Sequence, residues 1–492
     1  MGEMGRRLGQ AANVVLMLGA LVCVVVCAFL VWRHGMSFRY VGLMVFAVML
    51  ASAVQLPESV KINGVLVGMS TVVALYLAEV ILAYSGSAIA SLGAQAWLSF
   101  PQDANPKVAA ERMKTMGTDN QKFDTRSRLQ VIHDMRARGI QAYPDVFPEV
   151  LFEPASSTTI KSIFVRNKEE FLPVAGMSMT TTVFCNESGE YVVYESDEHG
   201  FHNPRGIWAK RSADIIALGD SYTHGVCVPT DKGFVATIRS QHSRTINLGV
   251  NGHGPLTSLA TLKEYGPTLK PKLVLWFYYE GNDLRDLDGW EKNSPLLQRY
   301  VSSSFTQHLF ERQSEIDQAL KAYIDAEMAK VAAPVSVEKI LKLQHLRQAL
   351  QVFHERRPTE QGLPAELLEH LRRSGEPAAL EDLQLFERIL TEARDTSGSW
   401  GGRVVFVYLP TWERYRIPEL ASKDREHVLG VARRLNLHVV DMHTLFSAHP
   451  DPLSLFPFRR YAHYNELGHK LVGDEVVRQI EKLESLMVKA PS

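Results

Sequence analysis

Five short apolar segments alternate with helix-like segments from residue 214 onward, and this alternation limits the fold more than any other feature. The segments are rich in β-branched and aromatic residues, which is typical of strands buried on both faces of a parallel sheet. We therefore predict an α/β fold in which a five-stranded parallel sheet lies between two layers of helices. The five segments are Asp214–Gly219, Thr245–Val250, Lys272–Tyr279, Arg403–Leu409 and Leu437–Met442.

Short polar motifs follow three of these predicted strands, and a fourth lies near the C-terminus. A parallel sheet delivers the side chains that follow its strands to one edge, where a cleft forms. A serine hydroxyl, an imidazole and amide donors gathered in one cleft are the groups that acyl transfer requires. The motifs are Gly219-Asp220-Ser221, Asn251-Gly252, Gly281-Asn282-Asp283, and His463-Tyr464-Asn465 followed by Gly468-His469.

The four motifs, in this order, resemble those of the SGNH/GDSL hydrolase superfamily, whose blocks contribute Ser, Gly, Asn and His. The resemblance covers roughly residues 190–485 and implies a three-layer α/β/α sandwich. It implies that Ser221 is the nucleophile and His463 its general base. It also implies an oxyanion hole made of the backbone N–H groups of Ser221 and Gly252 and the side-chain amide of Asn282.

The chain departs from the family pattern in two places. Glu280 stands where the family often has Gly, which predicts a differently shaped corner after the third strand. Family members usually carry Asp two or three residues before the catalytic His, but Arg460 and Tyr461 occupy those positions here. We expect either an acid from elsewhere, with Asp441 as the candidate, or a backbone carbonyl to orient His463.

Other polar residues near the motifs receive smaller roles. His469 is the alternative base, but it falls inside the final helix and we expect it to serve packing or the helix surface. We expect His224 and His253 to line the cleft, and Asp220 and Asp283 to brace loops. No spacing of potential ligands predicts a metal site, and no cofactor is expected.

The N-terminal region contains three apolar stretches. Ala11–Trp32 and Val41–Leu56 carry no charge, and Val65–Tyr84 carries only Glu79. Each can be extended to the roughly twenty residues that a bilayer crossing needs. We therefore predict three transmembrane helices within residues 1–90. A cleaved signal peptide fits the first stretch less well, because its apolar part is longer than that of a signal.

The basic residues around these stretches indicate an orientation. Arg6 and Arg7 precede the first stretch and Lys61 lies between the second and third, against Arg33 and Arg39 between the first and second. Positive charge is retained on the cytoplasmic side, so we expect a cytoplasmic N-terminus. Three crossings then place the large C-terminal part outside, which is the periplasm if the protein lies in the inner membrane of a double-membraned bacterium.

The soluble part divides by composition. We predict a linker and helical segment over residues 91–160, a small β-region over 161–210 and the SGNH-like domain over 211–488. Long charged segments between 285 and 398 predict a helical insertion after the third strand. Because it leaves the carboxyl edge of the sheet, this insertion is either a lid or acceptor-binding subdomain, or a solvated excursion or oligomerisation arm.

The cysteines and the net charge limit which cellular compartment and which classes of partner are expected for the chain. Cys185 and Cys227 both lie in the soluble part, and they can pair if that part is extracytoplasmic. The chain has 53 Lys and Arg residues against 54 Asp and Glu residues. This balance excludes the basic footprint of a nucleic-acid binder.

Together these features predict a membrane-anchored serine esterase or O-acyltransferase that acts on an O-acylated glycan or lipid at the outer face of the membrane. Both activities share one acyl-serine intermediate, so the motifs do not separate them. A transferase would need an extracytoplasmic acyl donor or a partner protein of the envelope pathway. The second hypothesis, motivated by the missing Asp, is a non-catalytic SGNH module that binds glycan or scaffolds an envelope assembly.

Overall fold

The chain divides into two compact units, which are described separately. One comprises residues 1–90 and 334–353, and the other the remainder. Most of the predicted linker before residue 124 and part of the predicted insertion lie outside the described residues. The computed structural model describes residues 3–34, 38–84, 124, 126–166, 168–302, 304–332, 340–347, 350 and 365–489.

Three apolar helices form most of the first unit: α1 (Glu3–His34), α2 (Phe38–Ala53) and α3 (Glu58–Tyr84). Two stretches, Glu3–Ala28 and Glu58–Leu82, are long and apolar enough to cross a membrane. Helix α2 has 16 residues. At about 1.5 Å per residue it is shorter than the roughly 30 Å hydrocarbon core. Among the described residues, two helices rather than the three predicted reach the length of a span.

Glu79, the single charge in the third apolar stretch, is fully buried in this unit. Its carboxylate accepts hydrogen bonds from the backbone N–H groups of His345, at 2.9 Å, and Leu346, at 2.7 Å. The His345 Nδ1 atom lies 2.7 Å from the same carboxylate. A segment of the insertion therefore packs on α3 and satisfies the acid, which explains how an apolar helix accommodates it.

In the described part of the second unit, one α-helix and seven short strands precede the main sheet. Strand β1 pairs in parallel with β6, which pairs in antiparallel with β7, while β2–β3 and β4–β5 form separate antiparallel pairs. This β-region begins at residue 142, earlier than predicted. Its elements are α4 (Arg128–Ala137), β1 (Ala142–Pro144), β2 (Phe152–Pro154), β3 (Ile160–Ser162), β4 (Val165–Arg166), β5 (Glu169–Glu170), β6 (Thr181–Val183) and β7 (Val193–Glu195).

The main sheet has five parallel strands in the order β12-β11-β10-β8-β9, which confirms the predicted fold class. The chain leaves β8 towards β9 at one edge and then crosses over to β10 on the other side of β8. A crevice therefore opens at the carboxyl ends of β8 and β10, where ligands bind in such sheets. The strands are β8 (Ile215–Leu218), β9 (Thr245–Asn247), β10 (Leu273–Tyr279), β11 (Arg403–Leu409) and β12 (His438–Asp441).

Helices cover both faces of this sheet. Along β10, Val274 and Trp276 enter one core while Leu275 and Phe277 enter the other, as expected for a strand buried on both sides. The helices are α5 (Ser221–His224), α6 (Phe234–Gln241), α7 (Pro255–Leu269), α8 (Asp283–Gly289), α9 (Pro295–Gln298), α10 (Gln313–Ala332), α11 (Ala365–Gly375), α12 (Leu380–Gly398), α13 (Glu413–Arg416), α14 (Arg425–Arg434), α15 (Met442–Ala448) and α16 (Glu466–Lys489).

Helix α12 corrects the predicted limits of the insertion. Its residues Leu385, Phe386 and Ile389 are buried in the same core as α7 and one face of the sheet. It is therefore the crossover helix that leads into β11, not part of an inserted subdomain. The segment predicted as an insertion over 285–398 ends before α12, because the apolar stripe of this amphipathic helix faces the sheet.

Candidate active site

Ser221 lies at a sharp turn between β8 and α5. Gly219 has φ +148°, and a Cβ at that position would lie 2.8 Å from the carbonyl oxygen of Phe277. Only glycine fits this turn. Asp220 then caps α5, its side chain accepting the N–H of Tyr222 at 3.0 Å, and Ser221 opens the helix at 5% exposure. The turn therefore presents the hydroxyl at the carboxyl edge of the sheet.

His463 lies on the loop before α16 and bridges two other side chains. Its Nε2 atom is 2.9 Å from Ser221 Oγ, and its Nδ1 atom is 2.8 Å from Glu187 Oε1. The His463 backbone N–H also donates to Glu187 Oε2 at 3.0 Å. In this geometry an imidazole can accept the hydroxyl proton while the carboxylate fixes the ring and stabilises its protonated form.

Glu187 was not found by sequence reasoning. It lies in the turn Asn186-Glu187-Ser188-Gly189 between β6 and β7, and nothing in its local pattern distinguishes it from any polar turn. The prediction that Asp441 orients His463 is wrong. The side chain of Asp441 accepts the N–H of His443 at 3.1 Å as the cap of α15 and forms an ion pair with Arg425. None of the hydrogen bonds and ion pairs of Asp441 found among the described residues involves His463.

The three residues expected to form the oxyanion hole line one cleft together with His463. Gly252 has φ +77°, and a Cβ there would lie 3.2 Å from the side chain of Phe147. Asn282 follows β10, and its buried Oδ1 atom has no hydrogen-bond partner within the described part of the chain. The structure thus brings Ser221, Gly252 and Asn282 to the edge at which β8 and β10 end.

Besides Glu187, the small β-region contributes a second side chain, Asp145, that contacts a loop of the site. Asp145 Oδ2 accepts a hydrogen bond from Asn251 Nδ2 at 3.1 Å, directly before Gly252. Burial raises the pKa of the Asp145 carboxyl to about 6. With Phe147 against Gly252 and Glu187 on His463, the β-region contacts the loops of the sandwich that carry Gly252 and His463.

Two buried acids, Asp220 and Asp283, are the chain neighbours of Ser221 and Asn282. Burial raises the pKa of Asp220 to about 6, and burial together with the charge of Asp220 raises the pKa of Asp283 well above its usual range. Asp220 caps α5, and Asp283 Oδ2 accepts the N–H of Tyr279 at 3.2 Å. Both side chains fix corners of the sheet edge.

Three further histidines are buried away from the cleft. His469 Nδ1 accepts the backbone N–H of Phe234 at 3.2 Å, and burial lowers its pKa to about 3, so it is a neutral packing residue. His224 and His253 are also buried, and neither is among the described residues that line the cleft, contrary to expectation. The Nδ1 atom of His224 instead accepts the N–H of Asn251 at 3.0 Å.

Glu280, which replaces a common family glycine, points away from the cleft. Its fully buried carboxylate accepts hydrogen bonds from Thr411 N–H at 2.7 Å, from Arg414 Nε at 2.8 Å and from the hydroxyl of Tyr408. It therefore ties the end of β10 to the loop and short helix that follow β11. These hydrogen bonds of Glu280 fix the backbone turn that follows β10.

The cleft has a volume of about 340 Å³ and mixes aromatic with charged walls. A disulfide joins Cys185 to Cys227 beside it. Because Cys227 is bonded, its sulfur is not available as a thiolate ligand, although it lies near Glu187 and His463. The aromatic and charged side chains in the wall include Phe147, Tyr279, Tyr461, Arg128, Arg285, Glu149 and Asp286.

Comparison with known proteins gives one family. The GDSL-like lipase/acylhydrolase family matches residues 217–471, slightly more than half of the 492 residues. No curated protein matches the chain.

Solved structures similar to the chain include the lipase/acylhydrolase from Enterococcus faecalis, at 14% identity over 55% of this chain and 96% of that chain, with a TM-score of 0.30. A member of the lipolytic protein G-D-S-L family from Veillonella parvula is 14% identical over 54% and 97%, with a TM-score of 0.28. A two-domain esterase active on acetylated mannans is 12% identical over 57% and 51%, with a TM-score of 0.28.

Proposed function

Because the chain belongs to the GDSL-like lipase/acylhydrolase family, we propose that it is a membrane-anchored serine esterase that removes acyl groups from an O-acylated glycan. The observation that carries this proposal is the position of His463, with Nε2 at 2.9 Å from Ser221 Oγ and Nδ1 at 2.8 Å from Glu187 Oε1. A nucleophile, a base and an orienting acid are thereby in contact.

In the first half of the reaction, Ser221 Oγ attacks the ester carbonyl as its proton moves to His463 Nε2. Glu187 stabilises the resulting imidazolium. The negative charge on the tetrahedral oxygen is bound by the Ser221 and Gly252 N–H groups and by the Asn282 amide. His463 then returns the proton to the departing sugar oxygen, which leaves an acyl-serine and a free hydroxyl.

In the second half, water gives a proton to His463 and attacks the acyl-serine. Collapse of the second tetrahedral intermediate releases a carboxylic acid and restores Ser221 with its proton. If a sugar hydroxyl takes the place of water, the same intermediate yields a new ester and the enzyme is an O-acyltransferase.

The composition of the cleft wall supports a glycan over a long-chain lipid. Phe147 and Tyr461 are half-buried aromatic residues of the wall, of the kind on which sugar rings stack, and Arg285 and Asp286 are able to form hydrogen bonds with hydroxyl groups. A long acyl chain favours a continuous apolar groove, as ligand pockets for apolar molecules are lined mainly by hydrophobic side chains.

We place the protein in the inner membrane of a bacterium with the soluble unit in the periplasm. The disulfide between Cys185 and Cys227 supports this side, because such bonds persist in oxidising compartments. This orientation needs α2 to cross the membrane in addition to the two longer helices. An alkaline phosphatase fused to the C-terminus will be active if the placement is right, and an inactive fusion in a stably inserted protein contradicts it.

The activity is tested with the full-length chain in detergent, using p-nitrophenyl acetate and an O-acetylated oligosaccharide. We expect Ser221→Ala and His463→Ala to lower kcat by at least about 10³-fold. Ser188→Ala is the matched control, because this serine is exposed in the turn that carries Glu187. Equal rates in the wild type and in both active-site variants contradict the enzyme and favour the glycan-binding module.

Adding an unacetylated oligosaccharide separates the two enzymatic outcomes. Free acetate alone indicates hydrolysis, whereas an acetylated acceptor identified by mass spectrometry indicates transfer. A higher kcat/KM for p-nitrophenyl laurate than for p-nitrophenyl acetate, which has the same leaving group, contradicts the glycan assignment and favours a lipid substrate.

A further inference from the structure

The turn that carries Glu187 lies outside the sheet that positions Ser221. The hairpin pairing that extends β6 and β7 stops at Cys185, whose carbonyl oxygen accepts the N–H of Val192 at 2.9 Å. Beyond this point the turn is closed by a bond from Gly189 N–H to the side chain of Asn186 at 2.8 Å. A carboxylate on such a turn needs a tie to the sandwich to stay within hydrogen-bond distance of a catalytic ring.

The disulfide supplies a covalent tie at this place. It joins Cys185, just before Glu187, to Cys227 on the loop that follows α5 and therefore Ser221. A carboxylate oxygen of Glu187, a ring nitrogen of His463 and the Sγ atom of Cys227 lie within 4.8 Å of one another. Cys227 is 4% exposed and belongs to a small apolar cluster with Phe184, Val192, Tyr194 and Val226.

We infer that the Cys185–Cys227 disulfide is a positioning element for catalysis, which holds Glu187 against His463 in the proposed esterase. This inference rests on the proposed function. The bond anchors the turn on the side that faces the nucleophile, so its loss lets the carboxylate move away from the ring. A misplacement of about 1 Å is enough to cost roughly 10²-fold in rate.

The turn keeps other attachments when the disulfide is absent. Asn186 Nδ2 donates to the carbonyl oxygen of Asp124 at 2.9 Å, and the hydroxyl of Tyr191 donates to the carbonyl oxygen of Arg126 at 2.8 Å. Neither contact involves the two cysteines. We therefore expect the chain to fold without the disulfide while Glu187 loses its fixed position.

A double-mutant cycle tests the inference with the full-length chain. Cys185→Ala with Cys227→Val keeps the cluster apolar, and we expect kcat for p-nitrophenyl acetate to fall about 10²-fold with little change in KM. In a Glu187→Gln background the same pair of substitutions should lower kcat no further, because the disulfide acts through Glu187. Losses that multiply contradict the inference, since they indicate an effect independent of Glu187.

Reduction of the wild type gives a second measurement that does not depend on how a variant folds. With tris(2-carboxyethyl)phosphine, we expect activity to fall while the far-ultraviolet circular dichroism is retained, and we expect no response from the variant without the two cysteines. Full activity after complete reduction, or activity lost only together with the folded spectrum, overturns the inference. A wild type without Ser221-dependent activity instead refutes the proposed function.

Discussion

Glu187 Oε1 lies 2.8 Å from His463 Nδ1, although 276 positions separate the two residues along the chain. The carboxylate that contacts His463 thus comes from the β-region ahead of the sandwich. The same region places Phe147 against Gly252. The candidate active site is therefore shared between two parts of the second unit.

The first prediction concerns Glu187→Gln. We expect kcat to fall by about 10²–10⁴-fold, because an amide neither stabilises the imidazolium nor holds the reactive tautomer. The measurement is the dependence of kcat on pH, which separates loss of the acid from a general loss of structure. Asp441→Asn is the matched control and should leave kcat unchanged, since Asp441 pairs with Arg425 and caps α15. A larger loss in Asp441→Asn than in Glu187→Gln contradicts this assignment.

The second prediction concerns Asn282, which we propose as an oxyanion donor. Asn282→Ala removes its side-chain amide, and we expect kcat to fall by about 10²–10³-fold while KM changes little, because the bond forms fully only in the transition state. Steady-state kinetics with p-nitrophenyl acetate provides the measurement. Asn293→Ala, an exchange of the same type outside the cleft, should behave as the wild type. An increase in KM alone would assign Asn282 to substrate binding.

The third prediction concerns the buried pair of Glu280 and Arg414. Arg414→Ala leaves the Glu280 carboxylate without its cation, so we expect the free energy of unfolding to fall by about 3–5 kcal/mol. The Glu280→Gln, Arg414→Met double variant should recover part of this loss, because no buried charge remains. Urea unfolding followed by tryptophan fluorescence measures both.

Lys321→Ala is the control for that pair, since the ion pair of Lys321 with Asp325 is exposed. We expect it to cost less than about 1 kcal/mol. Equal losses in Arg414→Ala and Lys321→Ala would show that the Glu280 network does not stabilise the edge of the sheet.

The fourth prediction concerns pH. Burial lowers the pKa of His469 from its ordinary value of 6.5 to about 3. Between these values the unfolded chain binds a proton at this site and the folded chain does not. The contribution of His469 to stability is therefore present above pH 6.5 and falls as the pH decreases towards 3, by up to about 1.4 kcal/mol per pH unit.

His469→Asn tests this dependence. The variant lacks the titrating ring, so its deficit in the free energy of unfolding relative to the wild type should shrink as the pH falls below 6.5. Urea titrations of both proteins between pH 8 and pH 5 measure this difference. A deficit that is constant over that range shows that the ring is not held neutral by burial.

The structure shows which features of the fold and site can be predicted from the sequence and which cannot. The strands were predictable because a strand buried on both faces leaves a continuous apolar run, as in Lys272–Tyr279 for β10. The sequence predicts that α12 belongs to the insertion because its charged face dominates its composition, whereas its apolar stripe packs on the sheet. Asp441 is a candidate from the sequence because it ends a strand, a position that many catalytic acids share with ordinary helix caps.

The sequence by itself determined the parallel sheet, the order of the motifs and the apolar N-terminal helices, because each depends on residue types at short spacing. Only the tertiary structure decided that Glu187 reaches His463, that a disulfide joins Cys185 to Cys227, and that Glu79 is satisfied by residues 345 and 346. Such contacts join segments that lie 42 to 276 positions apart. They depend on how whole layers pack, so no local pattern of residues records them.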